Sequence, residues 1–513
     1  MHMYVTQGLH RGLRLYPERL ATIFGERRHT YRQLASRVQR LAGSFQALGL
    51  KANDRVALLA LSSDRYLECM LAVHWAGGVV CPLNNRWSTS EISFSLQDCE
   101  PSLLILDDPF LPLLEEIALL LPLQNIIHVG ETVTPPGVLD FRQLVEDGQS
   151  IQDSLRHDDD LAFILYTGGT TGFPKGVMHS HSSMVSAAAS MYANQCTLGN
   201  VYLHAFPLFH MAGIQLLMTH HMQSGTHVFS STFVPELILN LIEREKVTDT
   251  ALVPTMLQML LSQQDTTNAD LSSLNQIYYG AAPITSALID HAIRTLPQTA
   301  FIQGYGMTET AICATLSGYY HSSEGIQLGK LGSTGKSTPL CELKIQGEHG
   351  EQPTGQVGEI WVRGASTMLG YWKNPQATAE AFQDGWMQTG DMGYLDHDGF
   401  VFIVDRKKDM IISGGENIYT SEVENCLSRH PSVAYCAVIG IPHPLWGESV
   451  HAVVVLHAGI DTSADAILQH CLDSLTRFKC PRSIEFRTAL PLSSTGKILK
   501  TELRKPYWRA DER

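Results

Sequence analysis

Apolar and polar positions alternate along the first half of the chain with the rhythm of helices and strands taken in turn. Thr30-Tyr-Arg-Gln33 reads as a capping box. Leu34, Val38, Leu41, Phe45 and Leu48 fall on one face of the helix it opens, and Gly49 ends that helix. Val56 to Leu61 predicts a buried strand, followed by a helix from about Asp64 to His74. Gly77 to Pro82 and Leu103 to Leu106 read as further buried strands, as does Leu161 to Leu165. The pattern resumes with a strand at Val201–Phe206, a helix at Gln215–Met222, a strand at Thr226–Phe229 and a helix at Pro235–Glu245. This order predicts right-handed βαβ units, a mostly parallel sheet arrangement and an α/β fold class.

From about Leu340 the texture changes to short strands and glycine turns, such as Gly358-Glu-Ile-Trp-Val-Arg-Gly364, which predicts an antiparallel or barrel-like subdomain. A charged stretch, Val404 to Asp409, separates it from a small α+β region. That region has strands near 433–441, 450–456 and 484 and a helix around 464–475. The expected division is an N-terminal domain over 1–404 with the barrel-like part at 340–404, a hinge at 405–409 and a C-terminal domain over 410–513.

A chain of 513 residues is too long for one ordinary core, in keeping with that division. The net charge of −14 argues against a nucleic-acid partner, which needs a basic face. Ten cysteines are scattered without Cys-x-x-Cys or Cys/His zinc spacing, as expected of reduced cytosolic thiols. The start, Met-His-Met-Tyr-Val-Thr, lacks the regions of a signal peptide. The most apolar run, Leu111–Leu123, carries two glutamates and two prolines and is no membrane span. A cytoplasmic protein is the expectation, with peripheral membrane contact and a homodimer left open.

Four segments carry chemistry. Tyr166-Thr-Gly-Gly-Thr-Thr-Gly-Phe-Pro-Lys-Gly-Val177 combines glycines able to form an anion nest with three hydroxyl donors and Lys175. It suits a polyphosphate, yet it is no Walker A loop, because Pro174 precedes the lysine and a glycine follows it. Gln303-Gly-Tyr-Gly-Met-Thr-Glu-Thr310 pairs an aromatic face with a hydroxyl and a carboxylate fit for phosphate and Mg²⁺. Met387-Gln-Thr-Gly-Asp391 and Val404-Asp-Arg-Lys-Lys-Asp409 offer a carboxylate and an arginine for a ribose or a phosphate. Leu490-Pro-Leu-Ser-Ser-Thr-Gly-Lys-Ile498 puts Lys497 on a glycine-hinged loop able to reach a distant cleft. In isolation each has a plainer reading as a surface turn, a buried tyrosine, a salt bridge or an exposed tail lysine.

Together and in this order the segments resemble the adenylate-forming superfamily of acyl-CoA synthetases, luciferases and peptide-synthetase adenylation domains. The resemblance spans almost the whole chain and includes Phe206-Pro-Leu-Phe-His210 and Pro444-Leu-Trp-Gly-Glu448. It implies that Thr167, Gly168, Gly169, Thr170, Thr171, Gly172 and Lys175 hold the phosphates of ATP. Gly280, Ala281, Ala282, Tyr305 and Gly306 would frame the adenine; Asp391, Ile403 and Arg406 the ribose and α-phosphate. Thr308 and Glu309 would serve phosphate and Mg²⁺, with Lys497 bridging the substrate carboxylate and the α-phosphate. Lys408 matches the family's pivot, and Ser413, Gly414 and Gly415 match a path for the pantetheine arm of coenzyme A.

The activity so implied forms an acyl-adenylate and then a thioester. Acetate-specific relatives carry tryptophan where Gly306 stands, so Gly306 and Gly280 imply an open acyl pocket, lined by His210 and Met307. A medium- or long-chain fatty acid is the first expectation and an aryl or aryl-propenoic acid the second. A carrier-protein-loading enzyme, a luciferase-like oxygenase and a non-catalytic nucleotide sensor are the rival classes. Asp158-Asp-Asp160 reads as a solvated turn, and Cys426 and Cys436 as core thiols. His179, His181, His220 and His221 lack a ligand set.

Overall fold

The computed structural model of the protein describes residues 2–167, 174–193, 201–263, 269–282, 284–492 and 497–508. The helix opened at Thr30 runs Tyr31–Ala47, and both bonds of the capping box are made. Gln33 N donates to Thr30 Oγ1 at 3.3 Å, and Thr30 N donates to Gln33 Oε1 at 2.8 Å. Leu34, Val38, Leu41 and Phe45 are buried as their spacing requires, each contributing about 1.5–3 kcal/mol.

The next helix, Asp64–Ala76, is buried along its whole length and packs on strands of both large sheets. Ser63 caps its start and Gly77 closes it at φ +93°, where a side chain would be strained. Its two buried carboxylates are paired, Asp64 with Arg27 at 2.7 Å and Glu68 with Arg37 at 2.9 Å.

One large sheet has eight strands in the order Gly370–Tyr371, Lys175–Ser180, Leu161–Thr167, Val79–Pro82, Arg55–Leu59, Leu103–Leu106, Ile126–His128 and Leu139–Asp140. The other has nine: Lys336–Ser337, Ala311–Leu316, Ala300–Met307, Gln276–Gly280, Asp249–Leu252, Val201–His204, Thr226–Phe229, Leu20–Phe24 and Arg27–Thr30. Both are parallel through their middles, as the strand–helix alternation requires. Both turn antiparallel at an edge, at Leu161–Thr167 against Lys175–Ser180 and at Ala300–Met307 against Ala311–Leu316. The hairpin Leu20–Phe24/Arg27–Thr30 was not legible in the sequence, being short and half polar.

The helix expected from Gln215 starts four residues earlier, as Met211–Met222. Met211, Gly213 and Ile214 are buried with the rest, so no polar face marks the start. This helix and two strands enclose a block of imidazoles. His204 Nε2 and His227 Nδ1 are 2.9 Å apart, and His220 and His221 pack beside them, all buried.

Successive antiparallel strands, Cys341–Gly347, Gly358–Gly364, Trp386–Leu395 and Val401–Arg406, form the expected half-barrel. The C-terminal domain is a five-stranded sheet of Glu416–Ile418, Ile411–Ser413, Gly447–Leu456, Val433–His443 and Ser483–Phe486, with the last strand parallel to Gly447–Leu456. Among the described residues no helix is long and apolar enough to cross a membrane, and the nine described cysteines are free thiols.

Candidate active site

The two motifs richest in chemistry fall at the antiparallel strand pairs in which the two large sheets reverse direction. In the first, Thr167 pairs with Lys175 across the hairpin mouth. The intervening Gly168, Gly169, Thr170, Thr171 and Gly172 lie outside the described residues. Lys175 Nζ sits 5.2 Å from the centre of the Tyr371 ring. Tyr371 arrives there because the strand Gly370–Tyr371 adds to the sheet opposite Val177 and Met178. Its hydroxyl donates to Glu309 Oε1 at 2.8 Å. Sequence reasoning missed Tyr371, which lies outside every glycine- or charge-marked motif.

The second turn holds Thr308, Glu309 and Thr310. His179 Nε2 donates to the Thr308 carbonyl at 2.7 Å, and Met368 N donates to the Glu309 carbonyl at 2.8 Å. Burial pushes the His179 pKa down to about 4, which keeps it a neutral donor. No ligand pattern marked this histidine, and its role is to fix a backbone. Glu309 is only 7% exposed, and burial raises its pKa. The Tyr371 hydrogen bond and the charges of Arg406 and Lys175 oppose that rise.

Tyr305 belongs to a core cluster against which Ile403 packs, and its hydroxyl donates to Asp391 Oδ2 at 2.9 Å. Arg406 Nε lies 3.3 Å from Asp391 Oδ1, because the two residues are directly opposite in adjacent strands. Burial raises the Asp391 pKa, and Arg406 and Tyr305 counter it. Gly280 pairs with Gly304 so closely that a Cβ at 280 would lie 2.2 Å from the Gly304 carbonyl oxygen. Ala281 follows at φ +63°, and Ala282 is half-buried.

Lys497, from the far end of the chain, reaches this cluster. It is half-buried, and burial followed by the Arg406 charge pushes its pKa down to about 8, while Asp391 and Glu309 pull the other way. His210 feels Lys497 as well. Burial, then the charges of Lys497 and Arg86, lower its pKa to about 3, and its ring packs 4.5 Å from Phe209. Its Nε2 is buried and makes no hydrogen bond among the described residues. Lys408 follows the strand Val401–Arg406 in a turn, and burial together with Arg406 lowers its pKa. Ser413 ends a strand, and Gly414 and Gly415 form an exposed turn at φ +62° and +87°.

Two expectations about the acyl pocket change. Met307 packs with Val177, Met368, Met387 and Tyr371, on the Lys175 side of the site. Gly306 follows a β-bulge, and a Cβ there would lie 1.8 Å from the Ala311 carbonyl oxygen. On the backbone path taken here close approach favours glycine at 306, so its small size is no independent sign of a long pocket.

The Asp158–Asp160 turn is as expected. Asp158 accepts from Met3 N at 2.9 Å and lies with His2 and His157 in a surface group whose ligand atoms are within 4.8 Å of one another.

Residues 9–372 match the AMP-binding enzyme family and residues 422–497 its C-terminal domain. A feruloyl-CoA synthase from Amycolatopsis sp is 38% identical over 97% of this chain and 98% of its own length. A fatty acid–[acyl-carrier-protein] ligase from Streptomyces coeruleorubidus is 35% identical over 93% of this chain and 92% of its own. The crystal structure of an anthranilate CoA ligase in complex with anthranoyl-AMP superposes with a TM-score of 0.90 at 27% identity, covering 99% and 97% of the two chains. With a family match over most of its length and relatives of this closeness, the chain belongs to the adenylate-forming superfamily, as an ATP-dependent, AMP-forming acid–thiol ligase of the acyl- and aryl-CoA ligase group.

Proposed function

We propose that the protein activates an aromatic or aryl-propenoic acid as its adenylate and passes the acyl group to coenzyme A, with Lys497 serving the first step and leaving for the second. The observation that carries this reading is a lysine of the C-terminal region lying among Asp391 and Glu309 of the N-terminal domain and Arg406 of the hinge. At neutral pH the substrate is already a carboxylate and needs no general base. What opposes reaction is repulsion between that anion and the triphosphate.

Asp391 accepts the ribose hydroxyls, while Lys175 and the glycine–threonine loop take the β- and γ-phosphates. Arg406 and the Lys497 ammonium face the α-phosphate. A carboxylate oxygen attacks the α-phosphorus in line and the bond to the bridging oxygen breaks, so pyrophosphate leaves with its electron pair. Glu309 suits Mg²⁺. One of its oxygens is taken by Tyr371, and a single hard carboxylate oxygen completed by phosphates and water is how this ion is commonly held. When bound, Mg²⁺ supplies neutralisation of the phosphate charge.

In the second step the thiol sulfur attacks the acyl carbonyl, and the bond to AMP breaks. Lys408 is the proposed pivot between an N-terminal domain ending at residue 404 and a C-terminal one starting at 410. Turning there withdraws Lys497 and brings Ser413 and the exposed Gly414 and Gly415 to the cleft.

An aromatic acid is favoured over a fatty acid by the grouping of Phe206, Phe209 and a neutral His210, whose ring feels the charge of Lys497. The named activity of the 38%-identical relative agrees.

The test separates the half-reactions over ferulate, benzoate-type and C8–C16 acids. Lys497→Ala should lose ATP–pyrophosphate exchange by about 10²–10³-fold, yet keep thioester formation from supplied acyl-adenylate. Equal loss of both refutes the division of labour, and a preference for fatty acids refutes the substrate assignment. Acyl transfer to a carrier protein but not to coenzyme A would shift the acceptor to that of the 35%-identical relative.

A further inference from the structure

The segment that carries Lys497 is wired to the hinge. Lys500 opens the helix Lys500–Arg504, three residues past Lys497. Its ammonium donates to Thr420 Oγ1 at 2.6 Å and pairs with Glu424 at 2.7 Å. Glu424 also accepts from Val438 N at 2.8 Å, which fixes the carboxylate on the C-terminal sheet. Thr420 is fully buried and begins the helix Thr420–Leu427, whose preceding residue, Tyr419, offers no capping side chain. The cap comes from elsewhere. Asp405, 7% exposed, accepts from Thr420 Oγ1 at 2.8 Å and from Thr420 N through one oxygen, and from Arg406 N at 2.7 Å through the other. Ser421 Oγ donates to the Val404 carbonyl alongside. Arg504, at the end of the Lys500 helix, donates to Asp409 at 2.7 Å.

These contacts differ in where they stand relative to residue 408. Lys500–Glu424 and Arg504–Asp409 join residues that all follow it, so they survive any turn about that point. Asp405–Thr420 and Ser421–Val404 join a residue before it to one after, so a large turn breaks them. We propose that Asp405 is a positioning residue for Lys497, capping the Thr420 helix beside Lys500 only while Lys497 occupies the cleft, and so holding the enzyme in its adenylate-forming state. The inference rests on the two-step reading above and adds to it the group that sets the balance between the two states. A carboxylate at a helix N-terminus beside a buried ammonium is a charge-assisted contact on both sides. Its loss moves a two-state equilibrium by the difference in its strength between the states.

The test compares Asp405→Ala, Asp405→Asn and Lys497→Ala in full-length protein, with the two half-reactions assayed separately and thermal unfolding followed for each. Asp405→Ala should slow ATP–pyrophosphate exchange about 10- to 100-fold and leave thioester formation from supplied acyl-adenylate unchanged or faster. Asp405→Asn keeps an acceptor for Thr420 N but loses the charge facing Lys500, so it should fall between Ala and the parent in exchange alone. A merely structural role predicts that both half-reactions fall in step with the unfolding temperature, and that result overturns the proposal. So does an Asp405→Ala enzyme with parental exchange. If Lys497→Ala itself loses both half-reactions equally, the two-step reading fails and this proposal falls with it. A selective Lys497→Ala beside an unselective Asp405→Ala removes the latch alone.

Discussion

Moving the pH from 7.5 to 5.5 challenges the imidazole block between the helix Met211–Met222 and the strands Val201–His204 and Thr226–Phe229. His204, His220, His221 and His227 are buried, and burial depresses the pKa of each, to about 3 for His220 and about 4 for His221. Neighbouring imidazoles add to the effect for His204 and His227. In the unfolded chain these groups titrate at about 6.5, so below that pH the unfolded state binds protons that the folded state refuses. Stability is therefore present above pH 6.5 and is lost as pH falls.

Over this interval one histidine that stays neutral in the fold costs about 1.4 kcal/mol, and four cost about 5–6 kcal/mol. That is a large part of the about 5–15 kcal/mol that ordinarily holds a domain folded. Among the described residues neither ring nitrogen of His220 or His221 has a hydrogen-bond partner, so leucine at both positions strands no polar neighbour there. Urea unfolding by tryptophan fluorescence at both pH values, for the parent and for His220→Leu/His221→Leu, reads the effect. The double variant should lose about 3 kcal/mol less than the parent on acidification. The other buried histidines are common to both proteins and cancel. An identical pH response in the two would refute the argument that these rings stay neutral in the fold.

Two further outcomes concern the site. With its pKa near 8, the Lys497 ammonium is lost as pH rises through that value, so kcat/KM for adenylate formation should fall on the alkaline side with an apparent pKa near 8. Lys497→Arg, whose charge persists, should abolish that falling limb. Tyr371→Phe keeps the ring beneath Lys175 but deletes the donor to Glu309, so ATP–pyrophosphate exchange should need about tenfold more Mg²⁺. Thioester formation from supplied acyl-adenylate should not change. An unaltered Mg²⁺ titration would separate Glu309 from the ion.

The sequence made the site readable where chemistry and chain order coincide. Glu309, Asp391, Arg406 and Lys497 stand in distinctive local strings, and in the structure the Lys497 ammonium feels the charges of the other three. The strands Leu103–Leu106 and Thr226–Phe229 and the helix Pro235–Glu245 were legible because each is bounded by turn or capping residues. Tyr371 and His179 were not, because their roles arise from strand pairing across a long separation and leave no local pattern. The start of the helix at Met211 was hidden for the opposite reason, since a helix buried on all sides has no period to read. Gly306 was legible as a small residue but misread in cause, as only the facing strand reveals the carbonyl that excludes a Cβ.

That carbonyl also limits how such a protein can diverge. A Cβ at 280 or at 306 would fall within 2.2 Å of a neighbouring carbonyl oxygen, so enlarging either residue has to come with a shift of the facing strand. A change of acid preference from that side therefore couples a substitution to a movement of main chain.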